Sequence, residues 1–130
     1  MKHKALFKDF YERLVAVNIL PIYSESTVTK PTANHFRVLF RPAGNALLNA
    51  CSGKSENQWI IKVNIHVRES GEILEALDYG DALVAAFPAG TIYTAAGEEY
   101  HVAKAPTVYT PIPKPGWLVV PVDIRLVNYG

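Results

Sequence analysis

The 130-residue sequence has one cysteine, Cys51, no long apolar run and no excess of charge of either sign. A single cysteine excludes an intrachain disulfide and a multi-cysteine zinc site and fits a reducing compartment. Cys51 has no basic neighbour except the distant Lys54 to lower its pKa, and reads as a passive loop thiol. The opening stretch MKHKALFKDFYERLVAVNIL begins basic, but Lys8, Asp9, Glu12 and Arg13 interrupt any signal-like apolar core. With no run long enough to span a bilayer, the expectation is a product of the cytoplasm that has no membrane partner. A net charge of +1 leaves few uncompensated basic side chains for a phosphate-binding surface, so nucleic acid is not the expected partner.

Catalytic signatures are also missing. Gly53-Lys54-Ser55 resembles the end of a phosphate-binding loop, but the position five residues before Gly53 is Leu48, and a strand pattern follows where a helix is needed. There is no dinucleotide-type glycine pattern and no G-x-S-x-G elbow. His3, His35, His66 and His101 lie far apart, without metal-ligand spacing, and read as surface imidazoles. Glu98 and Glu99 are strand neighbours, so their carboxylates point to opposite faces and cannot share a site. No catalytic residue, metal or cofactor is expected.

What is present is one domain, residues 1–130, with an ordinary soluble balance of 49% hydrophobic and 19% charged residues. At this length a single core can bury about two thirds of the surface the unfolded chain exposes. Phe7, Phe10, Tyr11, Leu14 and Val17 recur at spacings of three and four, predicting an amphipathic helix over residues 3–18, with Pro21 just beyond it. Residues 22–34 read as an extended loop. From His35 to Arg41 the pattern alternates, with Phe36, Val38 and Phe40 on one face and Arg37 and Arg41 on the other, and Pro42 stops it. Residues 43–57 read as a long polar connection. Trp59, Ile61, Val63, Ile65 and Val67 then define one face of a strand, opposite Lys62, Asn64, His66 and Arg68.

Ser70 is a candidate cap for a second helix, with Glu72 and Glu75 in its first turns. Its apolar stripe runs from Ile73 to Phe87, leaving Glu75, Asp78 and Asp81 outward, and Pro88 and Gly90 end it. Residues 91–94 and 99–103 predict a hairpin around Ala96-Gly97. Pro106, Pro111, Pro113 and Pro115 are too many for a ladder and predict a rigid extended segment. The closing strand places Leu118, Val120, Val122, Ile124 and Leu126 on one face. Pro121, which lacks a donor, predicts that this strand lies at an edge or a bulge. Trp59 reads as core, whereas Trp117, between Gly116 and the last strand, suits either core or contact.

The order is α-β-β-α-β-β-β: an α+β, two-layer fold with a mostly antiparallel sheet and two amphipathic helices packed on one face. Charge divides along it. Residues 1–68 carry ten basic and four acidic side chains, residues 69–101 carry seven acidic and none basic, and the last 29 carry three basic and one acidic. Such a split serves either internal pairing or complementary faces on neighbouring copies.

FKDFYERLVAV, WIIKVNIHVRESG running into EILEALDYGDALVAAFPAGT, and APTVYTPIPKPGWLVVPVDIRL together resemble the tail terminator, or tail completion, proteins of long-tailed bacteriophages, including the lambda-like terminators. FPAGT and GW followed by VPV are the most family-like pieces. The resemblance implies a structural virion protein of the tail–neck region, assembled in the bacterial host cytoplasm. It implies a ring, usually a hexamer, that caps the head-proximal end of the tail tube, ends its polymerisation and offers a surface for head joining. The implied partners are copies of itself, the tube protein and a head-completion or neck protein, with DNA passing through the ring. The subunit interface then expected pairs Arg37, Arg41, Lys62 and Arg68 with Glu72, Glu75, Asp78 and Asp81 of the next copy, with Trp117 as an anchor. A neck adaptor and a small metal-dependent phage nuclease are the alternatives.

Overall fold

The computed structural model describes residues 3–25, 30–49, 54–69 and 73–129, with the backbone alone for residues 44–49, 54 and 55. Cys51, Gly53, Ser70 and Glu72 therefore lie outside the described residues. Two helices, α1 (His3–Val17) and α2 (Ile73–Ala86), pack on an eight-stranded sheet. Its strands are β1 (Ile22–Ser24), β2 (His35–Asn49), β3 (Lys54–Arg68), β4 (Ile92–Ala95), β5 (Glu98–Val102), β6 (Thr107–Val108), β7 (Ile112–Lys114) and β8 (Trp117–Tyr129). The spatial order is β1-β2-β3-β8-β5-β4, with β6 and β7 also paired to β8. Every pairing is antiparallel except β1 with β2. This is the expected α+β arrangement.

The core follows from the alternation. Trp59, Ile61, Val63, Ile65 and Val67 of β3 and Val120, Val122, Ile124 and Leu126 of β8 are fully buried, together with Leu6, Phe10 and Leu14 of α1 and Ala76 and Leu83 of α2. Both helices sit on this inner face. Phe7 of α1 packs its ring 4.9 Å from Phe40, and Phe10 lies 4.9 Å from Phe87 just beyond α2. The Trp59 indole N–H donates to His3 Nδ1 at 2.6 Å. Asn18 ends α1 in the left-handed conformation (φ 55°), its N–H donating to the Val15 carbonyl.

Several sequence expectations change, beginning with residues 22–24, which pair in parallel with β2 instead of belonging to a loop. Of residues 43–57, those described, 43–49 and 54–57, are strand and not a loop. β2 and β3 form one long hairpin ladder from His35↔His66 to Asn49↔Lys54, with irregularities after Pro42 and after Leu47, because backbone pairing begun by the alternating segments continues into polar sequence. The proline-rich segment is not free of ladder contacts either, since β6 and β7 bond to β8 on either side of Pro111.

β8 is not an edge strand: β3 pairs with it from Trp117 to Tyr129, while β7, β6 and β5 share its other side in turn. The Pro121 carbonyl accepts from the Tyr109 N–H at 2.9 Å, which shows that the polar backbone of Pro121 faces the β6 and β7 side. Its missing N–H points into the interval between those two short strands, so no ladder bond with β3 is lost. The 91–103 hairpin forms as expected, with Ala96 (φ 52°) and Gly97 (φ 79°) supplying the two left-handed residues of a tight turn.

Candidate assembly surface

No helix among the described residues covers the face of the sheet opposite the core. Cross-strand register sets its rows: His35, His66 and Val119; Arg37, Asn64 and Pro121; Leu39, Lys62 and Asp123; Arg41, Ile60 and Arg125. The four basic residues expected on one face are thus brought together there, as alternation requires.

They are not idle. Arg41 forms a two-pronged ion pair with Glu25, at 3.1 and 3.0 Å, which lowers the Glu25 carboxyl below its usual range. Arg37 donates to the Ser24 carbonyl at 2.9 Å, so both arginines tie the short strand β1 and its next residue to β2. Lys62 Nζ stands 3.6 Å from Asp123 Oδ1, a buried oxygen that accepts no hydrogen bond, while Tyr109 donates to the other oxygen at 3.2 Å. Arg68 donates from its guanidinium to the Thr32 carbonyl and lies 5.5 Å from the centre of the Trp117 ring.

The acidic partners are also split. Glu75 is half-buried, accepting from Asn34 Nδ2 at 3.1 Å and from the Tyr79 hydroxyl at 3.2 Å, instead of lying exposed. Asp78 and Asp81 are exposed, and among the described residues neither has a hydrogen bond or ion pair. Ile73, expected in the buried stripe of α2, is 51% exposed, and Leu74 beside it is 64% exposed.

An aromatic cluster that the sequence spacing did not reveal occupies one end of the outer face. The His35 and His66 rings stack at 4.6 Å, and Trp117 meets both edge-on, at 5.0 and 5.9 Å. His35 is buried rather than a surface imidazole, and Tyr23 closes on it at 5.5 Å. Each ring is fixed by its own strand: Nδ1 of His35 donates to the Ala33 carbonyl at 2.9 Å and Nδ1 of His66 to the Asn64 carbonyl at 3.1 Å. Burial first, then Arg37 and, for His66, also His35 and Lys114, hold both imidazoles below the ordinary histidine value, keeping them neutral and able to stack. The available signal was the hairpin register, which depends on where the β2–β3 turn falls.

Beneath the other face, between α1 and β5, the Tyr100 hydroxyl donates to Asp9 Oδ2 at 2.5 Å, and Arg13 pairs with the same oxygen at 2.8 Å while lying over the Tyr93 ring. Burial and the Asp9 carboxylate push the Tyr100 phenol far above its usual range. A cleft of about 320 Å³ lies beside Lys8, Asp9, Glu12 and Thr94, but its two acids come from a single helix and Asp9 is already neutralised. Among the described residues no group of three or more His, Cys, Asp or Glu side chains is placed to hold a metal ion.

These features define an α+β domain whose outer sheet face, polar and aromatic, is covered by no helix among the described residues. The sequence pattern of the family described as phage tail terminator protein matches residues 3–126, nearly the whole chain. The chain belongs to the phage tail terminator family, which makes it a structural protein of the phage tail and a virion component. A solved structure without a functional name superposes on it with a TM-score of 0.80 at 18% identity, covering 98% of this chain and 96% of that one, a likeness of fold. No curated protein matches the sequence.

Proposed function

We propose that this subunit closes into a ring, hexameric by the family resemblance, on the head-proximal end of the tail tube, where it stops tube growth and offers a surface for joining the head. The mechanism is steric and involves no catalysis. A growing tube ends in unsatisfied protein surface. A subunit that fits that end on one side, and offers a different surface on the other, prevents the next tube ring from adding.

Family membership supports the tail role, and the observation that supports a repeating contact is the bare sheet face lying opposite a helix with unpaired acids. A contact between two different patches is heterologous and generates a ring when the rotation closes. The partners in this reading are copies of itself, the tube protein and a neck or head-completion protein, with DNA passing through the bore and assembly in the host cytoplasm.

Deleting the gene and measuring tails by electron microscopy tests this. Overlong tails are expected. Tails of normal length would overturn the reading, and normal-length tails that fail to meet heads would assign the protein to the neck instead.

A further inference from the structure

We infer that neighbouring copies meet at one end of the sheet, where the exposed stripe Leu74, Asp78 and Asp81 of α2 docks on the outer surface around Trp117, Ile112 and Lys114 of the next copy. The inference rests on the ring reading and specifies its contact. It differs from a contact spread over all the basic residues of the sheet. Arg41 and Lys62 already face Glu25 and Asp123, and Arg37 already holds Ser24. Breaking those ties to meet a new partner would forfeit on one side what is gained on the other.

At the Trp117 end the outer face offers side chains without such ties. Lys114 is exposed and, among the described residues, has no hydrogen bond or ion pair, although it is close enough to His66 to lower its pKa. Ile112 beside it is 45% exposed, and in the β7–β8 pairing Lys114 stands opposite Trp117. A half-buried Trp with an exposed aliphatic neighbour and a flanking charge has the composition of a contact anchor. On α2, residues 74, 78 and 81 follow helical spacings of four and three, so Leu74 and the two unpaired acids form one stripe. The two patches match: apolar against apolar, and a lysine against two aspartates.

Their placement also suits a ring. Asn34 donates to Glu75 of α2 and accepts from the Arg68 N–H, and Arg68 is opposite Trp117 in the β3–β8 register. The start of α2 and the Trp117 patch therefore lie at the same end of the strands but on opposite faces of the sheet. A rotation about an axis running along the strands brings one patch to the other with little rise, as closure of a ring requires and an open filament does not.

The test is a charge exchange in phage carrying the variant gene, read by tail length and, for the purified protein, by sedimentation, with thermal unfolding to verify folding. Asp78→Lys with Asp81→Lys, and separately Lys114→Glu, are expected to give overlong tails and to weaken self-association at least about tenfold. The combined variant is expected to recover both tail length and association. If each variant alone terminates tails normally, this contact is overturned while the terminating role stands. If both are folded and defective but the combination does not recover, the pairing is overturned. Normal tails in the deletion strain would instead remove the ring reading itself.

Discussion

A proton arriving at His66 enters a space that already holds a second imidazole, the Trp117 ring and the positive charges of Arg37, Arg68 and Lys114. Both rings are held below the ordinary histidine value of 6.5, so as pH falls the unfolded chain binds these protons before the folded one. The stability that the neutral pair contributes is therefore complete above 6.5 and is lost as the pH drops below it. Urea unfolding at pH 7.5 and 5.5 checks this: the midpoint falls in the wild type, and the fall becomes smaller in His66→Phe, whatever that variant's absolute stability. This pair was not legible in the sequence. His35 and His66 stand 31 positions apart, and only the hairpin register, fixed by backbone pairing through polar residues, makes them neighbours. The same holds for Glu75, whose side chain is claimed by Asn34 from a segment without periodicity.

At the level of elements, α2 is seated by an absence. A Cβ at Gly80 would stand 3.2 and 3.4 Å from the two methyl groups of Val108 on β6 and 3.9 Å from Ile65 Cδ1. A larger side chain must lift the helix from β6, and Gly80→Leu is expected to cost about 1–3 kcal/mol in urea unfolding. The two helices, the main alternating strands and the 91–103 hairpin were all legible, because burial of one face imposes periods that survive in a single sequence. What the periodicity missed is short or atypical: parallel β1 with three residues, and β6 and β7 among prolines. These gain their ladder bonds from the neighbour they meet, not from an apolar repeat. Pro121 pointed correctly to a missing donor but not to its place, since a strand can be paired on both sides and still have an interval opposite one residue.

For the whole molecule, the basic side chains of β2 and β3 gather on the outer face of the sheet, and Arg37, Arg41 and Lys62 there are settled within the chain. Lys114, exposed at the Trp117 end, was hidden because spacing cannot distinguish a lysine with a partner from one without. The β2–β3 ladder continues to Asn49↔Lys54, whereas β8 stops opposite Glu56, so among the described residues the last pairs of the hairpin have no third strand. A two-stranded ribbon is marginal by itself in water. Amide hydrogens over residues 47–49 are therefore expected to exchange orders of magnitude faster than those of Ile61 to Val67, as measured by deuterium uptake. The hairpin thereby passes from a body in which β3 is bonded on both sides to an end where, among the described residues, Ser55 and Lys54 are bonded on one side alone.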